Sequence, residues 1–261
     1  MLLGDTRFPF LRSLSLSTHT RSEPTNARTF SALLERTPTL QHVAWQYLEP
    51  KPLSPKALPA LRSLQVDVPD SPGAAGRGLL RSAEHLAALG PVCVTPDTLD
   101  AMVQMHRHNT LRVLDVARFD SIASLVRVVR LFARLRWLRV PAIDYWHEHA
   151  PVTPAPVHRA EWFDVLNSLP MLEVFRGVSF FHDPERASIE ENDERAYHIL
   201  NICPRMREIE HWDLVPSHVI TLGRDGDRVV WRVEVVDDVD ESFTCHVFPR
   251  AMQRYYRDLS N

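Results

Sequence analysis

The sequence predicts an α/β protein built as a solenoid: helix–strand units stacked side by side, parallel strands on a concave face and helices outside. Three observations predict it. A short apolar cadence recurs along most of the chain, helix-start signals precede it, and proline stands where several helices must stop.

The cadence is P-x-L-x-x-L-x-L. It reads PFLRSLSLS at Pro9–Ser17, PTLQHVAWQ at Pro38–Gln46, PALRSLQVD at Pro59–Asp67 and NTLRVLDVA at Asn109–Ala117. Further copies are ARLRWLRVP at Ala133–Pro141, PMLEVFRGV at Pro170–Val178 and PRMREIEHW at Pro204–Trp212. The anchors Leu11, Leu40, Leu61, Leu111, Leu135, Leu172 and Met206 are separated by 29, 21, 50, 24, 37 and 34 positions. The longest step is about twice the shorter ones, which places a degenerate copy at His85–Val94, with Leu86 and Leu89 as anchors. A doubly wound sheet also alternates helix and strand, but nothing in it requires a repeated sequence. A unit that cannot bury its apolar face alone must stack on copies of itself.

Each element has a local cause. Alternation at Leu14 and Leu16, and at Leu64, Val66 and Val68, gives a strand one apolar face. Thr95 caps a helix that has Pro96 in its first turn and Leu99, Met102 and Val103 on one side. Ser121 precedes Ile122, Leu125, Val126 and Val129 at helical spacing, and Asn26 precedes Phe30, Leu33 and Leu34. Glu161–Leu166 and Arg195–Ile202 supply two more helices, and a helix-like stretch runs LLRSAEHLAAL from Leu79. Pro38, Pro170 and Pro204 follow helical stretches, lack an N–H and push the preceding residue out of helical geometry. From Val219 the pattern changes. Asp225-Gly226 is a tight-turn signal between two strand-like runs; Phe243–Phe248 adds a third, and Pro249–Leu259 a closing helix. The expected division is a repeat region at 1–215 and a capping hairpin and helix at 216–261.

Composition excludes several classes. Thirty basic against 33 acidic residues give a net charge of −3, so no nucleic-acid or membrane attraction is expected. The three cysteines, Cys93, Cys203 and Cys245, lie far apart, which suits a reducing compartment; an intracellular protein, cytoplasmic or nuclear, is expected. Asp5 and Arg7 interrupt any signal-peptide core, and no apolar run is long enough to span a bilayer.

Catalytic chemistry finds little support. Gly73-Ala74-Ala75-Gly76-Arg77-Gly78 lies between a strand and a helical stretch, as a phosphate cradle would, but lacks the Lys-Ser/Thr pair and the G-x-G-x-x-G spacing. His147-Glu148-His149 is not H-E-x-x-H, and His106 and His108 have no second ligand pair at zinc spacing. No G-x-S-x-G elbow is present and Cys93 has no activating neighbours in sequence. The expectation is no enzyme, no catalytic residue, no cofactor and no metal. The alternative is a nucleotide- or metal-using α/β enzyme with its site near Gly73–Gly78 or His147–His149.

Leu58-Pro59-Ala60-Leu61 and Leu169-Pro170-Met171-Leu172, with the C-P-x-M-x-x-I variant at Cys203–Ile209, resemble the leucine-rich repeats of fungal (basidiomycete-type) F-box-like proteins. The resemblance covers residues 8 to 215 and implies a leucine-rich-repeat solenoid. It further implies protein binding of the kind that recruits substrates to a ubiquitin ligase. If the chain is complete as given, the F-box domain has no room before Phe8 and only the binding half of that function is expected to carry over.

A partner's place follows from strand period. With the anchors facing the core, the intervening positions face the concave side. These include His42, Gln65, Asp115, Trp137, Arg139 and Arg176, which form the expected surface for another protein, a ubiquitin-ligase substrate being the implied class. Trp137 has a second reading, packing beneath the aromatic Ile143–His149 loop. The arginine-rich stretch Arg107–Arg139 reads either as a solvated helix face or as a site for an acidic partner.

Overall fold

The computed structural model describes residues 8–17, 24–46, 51–54, 56–67, 79–80, 83–105, 109–141, 159–183, 188–213 and 218–235. The chain divides into two compact units, one running up to Ala117 and one spanning Arg118–Ser242. The fold is mixed α/β, its strands mostly parallel and neighbouring one another in chain order.

The first unit carries β1 (Ser13–Ser17), α1 (Pro24–Arg36), β2 (His42–Gln46), β3 (Ser63–Asp67), β4 (Ala88–Val94), α2 (Pro96–Met105) and most of β5 (Val113–Phe119). Strands β1, β2, β3 and β4 pair in parallel, with Leu14 beside Val43, Val43 beside Leu64 and Leu64 beside Leu89. The second unit carries α3 (Ile122–Leu131), β6 (Trp137–Arg139), α4 (Arg159–Asn167), β7 (Val174–Arg176), α5 (Ile189–Ile202), β8 (Glu208–Glu210), β9 (His218–Asp225) and β10 (Arg228–Val235). Here β6, β7 and β8 are parallel, while β9 and β10 form an antiparallel hairpin on β8. Gly226, at φ +59°, occupies the two-residue turn that the Asp225-Gly226 pair predicts. The hairpin that the sequence sets apart is therefore hydrogen-bonded directly to the last repeat strand. The third strand and closing helix expected after it lie outside the described residues.

The cadence has the same backbone meaning at six of its anchors. The anchor N–H donates to the carbonyl three residues earlier: Leu11 to Phe8, Leu40 to Thr37, Leu61 to Leu58, Leu135 to Phe132, Leu172 to Leu169 and Met206 to Cys203, all at 2.9–3.2 Å. The carbonyl just after the anchor then accepts two N–H groups from the next strand. Arg12 O receives Gln41 and His42, Gln41 O receives Arg62 and Ser63, Arg62 O receives Ala87 and Ala88, and Ala87 O receives Arg112 and Val113. In the second unit Arg136 O receives Glu173 and Val174, and Glu173 O receives Arg207 and Glu208. One turn thus orients both the buried anchor and the strand that follows it.

The helices cover one strand face. Trp45 of β2 meets Phe30 of α1 edge-on at 5.8 Å between ring centroids, and Phe175 of β7 meets Trp162 of α4 at 5.9 Å. Thr95 accepts the Leu99 N–H at its carbonyl, and the Ser121 hydroxyl caps α3 by accepting the Ser124 N–H at 3.2 Å. Several boundaries differ from expectation: α1 begins at Pro24, ahead of Asn26, and α4 at Arg159, ahead of Glu161. Helix α5 starts at Ile189 instead of Arg195, because Ser188 caps it by accepting the Glu191 N–H. The end of LLRSAEHLAAL is strand, because pairing of Ala88 and Leu89 with Ser63 and Leu64 outweighs local helix propensity.

Gly177, just after β7, sits at φ +95°, and a Cβ there would overlap the Val140 carbonyl oxygen. Both the left-handed backbone and the close strand approach require glycine. Gly177→Ala is expected to lower unfolding stability by about 2–4 kcal/mol in denaturant titration.

Candidate functional site

The strand positions expected to meet a partner fall into register within each unit. In the first, Ser13, His42, Ser63 and Ala88 form one row, and Ser15, Ala44 and Gln65 the next. His42 Nδ1 lies 2.9 Å from the Ser63 hydroxyl, which is fully buried and satisfied by that contact. Burial, and then the nearby Arg62 guanidinium, hold the His42 imidazole below its ordinary pKa. Both causes favour the neutral ring. His42 and Gln65 are half-buried, each offering part of its side chain to solvent.

Asp115 corrects the expectation. It is 2% exposed and sits against Gly90, where a Cβ would overlap the Asp115 side chain. The tight approach of β4 to β5 encloses the residue and leaves no carboxylate for a partner to reach.

In the second unit Trp137, Val174 and Glu208 share a row, and Arg139 lies beside Arg176. Trp137 is the second correction. Its side chain is 1% exposed beside a fully buried Val174, because an indole of this size gains more from leaving water than a surface position allows. The loop proposed to cover it, Ile143–His149, lies outside the described residues. Arg176 is the third correction. Its Nη2 donates to Glu208 Oε2 at 2.7 Å, the two side chains being 11% and 10% exposed. Its charge is already met inside the protein. Glu210 Oε2 accepts the Gly177 N–H at 2.9 Å, a further use of an acidic side chain to hold backbone. His42 and Gln65 in the first unit and Arg139 in the second thus remain as partly exposed strand-face positions, Arg139 lying beside the neutral Arg176–Glu208 pair.

A second constellation was not singled out from sequence. The position following the anchor holds Arg136 in β6's copy, Glu173 in β7's and Arg207 in β8's, adjacent because the copies stack. Arg136 Nε donates to Glu173 Oε1 at 2.6 Å, and Arg207 Nη2 donates to Glu173 Oε2. Glu173 is buried while both arginines reach solvent. Reading this one template position down the repeats, Arg12, Gln41, Arg62, Ala87, Arg112, Arg136, Glu173, Arg207, would have exposed the lone acid between two arginines. Arg107 lies outside the described residues, and other arginines of the Arg107–Arg139 stretch have local settings. Arg112 wraps its own turn, donating to the Asn109 and Leu111 carbonyls, and Arg127 and Arg130 project from exposed positions of α3.

Gly73–Gly78, His106, His108 and His147–His149 lie outside the described residues. Among the described residues no group of three or more His, Cys, Asp or Glu could hold a metal, and no helix is long and apolar enough to cross a membrane. Cys203 is buried, its thiol pushed up to about 12 by burial and facing the Leu166 and Leu169 carbonyls at 3.3 and 3.5 Å. It closes the end of α4 as a protonated structural thiol.

Two outcomes follow. The depressed His42 pKa means the unfolded chain takes up a proton below about pH 6.5 while the native ring resists. Stability is complete above that pH and falls as acid is added, so thermal midpoints at pH 5.5 should lie below those at 7.5, with a smaller drop in His42→Gln. Glu173→Ala removes the acid shared by two arginines and should cost about 1–3 kcal/mol in chemical denaturation, discounted from a fully buried pair because the arginines are solvated.

Comparison of the chain with protein-family models, with curated proteins and with solved structures finds no match, so function has to be read from this geometry.

Proposed function

We propose that the chain is a non-catalytic protein-interaction module, a leucine-rich-repeat-type solenoid whose strand face receives another protein. It resembles in this respect the substrate-recruiting repeats of F-box ubiquitin-ligase receptors, working inside the cell. The observation that carries the reading is the recurring anchor turn, with its paired carbonyl, which brings one template position of successive copies side by side. A scaffold of that kind fixes rows of side chains along an open face, which suits recognition of an extended protein surface.

Chemical economy points the same way. Three of the buried acids and thiols among the described residues have structural uses: Glu173 and Glu208 hold arginines and Cys203 faces carbonyls. The half-exposed strand-face groups, His42, Gln65 and Arg139, are polar and varied, the mix that forms hydrogen bonds at the edge of an interface.

The test places a photocrosslinking amino acid at Gln65, at Arg139 and, as a control, at the exposed Arg130 of α3. Irradiation in cell extract is expected to join a protein to the Gln65 position of the first unit and to the Arg139 position of the second, and not to Arg130. Equal capture from Arg130 removes the strand-face assignment. In parallel, thermal melts with nucleotides or divalent metals should not move; a rise of several degrees would favour the enzyme reading around Gly73–Gly78 or His147–His149.

A further inference from the structure

A shallow groove of about 440 Å³ lies in the second unit where the parallel strands begin. Its charged lining is Arg136, Arg205, Arg207 and Arg224 against Glu173 alone, an excess of three positive charges. Its apolar lining is Leu200, Pro204, Met206 and Leu222. Glu173 is engaged with Arg136 and Arg207. Arg205 and Arg224 are exposed, and among the described residues no carboxylate is ion-paired with either; Arg224 reaches only the Asn201 side-chain oxygen at 3.4 Å.

We propose that this groove binds an acidic peptide segment of another protein, its carboxylates on the arginines and an apolar side chain against Leu222 and Pro204. The spacing of the cations argues for carboxylates in series. Neighbouring strands lie about 4.8 Å apart, so the origins of Arg136 and Arg207, two strands apart, are separated by about 10 Å; on β9 the position opposite Arg207 is Leu222, and Arg224 adds a cation two residues further along that strand. Alternate residues of an extended peptide are about 7 Å apart, so two or three acids spaced along it reach successive guanidinium groups, whereas a single anion reaches only part of the row. Arginine suits the task because its planar fork takes a carboxylate through two hydrogen bonds. Nucleic acid fits less well. The groove lining holds no aromatic side chain for base stacking, and the chain's net charge of −3 repels a long polyanion.

This site uses residues separate from the strand face, so its failure leaves the reading of that face untouched. The test is fluorescence anisotropy of the full chain with a labelled peptide, Gly-Asp-Leu-Asp-Glu-Leu-Asp-Gly, against its Asn/Gln counterpart. The acidic peptide is expected to bind and the amide version not, with affinity falling as salt is raised. Arg205→Glu combined with Arg224→Glu should weaken binding at least about tenfold, while Arg127→Glu on α3 should not. Circular dichroism checks the fold of the double variant; if it is lost, Arg205→Ala alone decides, with a loss of about threefold or more expected. Equal binding of the amide peptide, or an unchanged affinity in the groove variants, overturns the proposal. So does tighter binding of a neutral peptide carrying one phosphoserine, or of single-stranded DNA, either of which would assign the groove to a different ligand.

Discussion

The carbonyl oxygen one residue past an anchor, seen in this role at Arg12, Gln41, Arg62, Ala87, Arg136 and Glu173, is the point on which the rest of the structure depends. It accepts two N–H groups from the next copy, as Gln41 does from Arg62 and Ser63, and Glu173 from Arg207 and Glu208. The adjacent anchor N–H is turned back onto its own copy at the same step. A strand as short as β6, β7 or β8, three residues each, makes few ladder bonds by itself. The shared acceptor supplies the register that such short strands could not hold, since a slip of one residue would turn every core side chain outward.

Register in turn sorts side chains by template position. Positions facing the helices fill with large apolar groups, so that Trp45 finds Phe30 and Phe175 finds Trp162. Positions on the other face take whatever the local neighbours tolerate, which is why the same row can hold Trp137, Val174 and Glu208. Glu208 is acceptable there because Arg176 lies two residues along the adjoining strand and neutralises it. The position after the anchor lies where the strands begin, and there the arginines gather around Glu173.

What was legible in the sequence was local. The anchor cadence, the Thr95 and Ser121 caps and the Asp225-Gly226 turn are all written within a few residues, because turns and caps close over that distance. Helix α5 was legible too, since Ser188 and Glu191 stand at capping distance, but its first turns carry so many acids that they read as loop. The candidate site was legible only by face. Period-two alternation says which side of a strand Trp137, Asp115 and Arg176 occupy, and says nothing of what covers them. Asp115 is enclosed by Gly90, 25 positions earlier, and Arg176 is met by Glu208, 32 positions later. Those separations exceed any local pattern.

The same separations show how more could be read from a repeated sequence. In a stacked chain the distant partner of a residue sits at the same template position, or a neighbouring one, of the adjacent copy. Arg136 and Glu173 are 37 positions apart and Glu173 and Arg207 are 34, yet each pair is a single template step across the stack. An acid standing alone between two arginines of the column is shared by them, as Glu173 is by Arg136 and Arg207. Sharing leaves cationic capacity in that column, and it is this residue of charge, more than the count of arginines in any one segment, that makes the strand-entry groove a place for anionic partners.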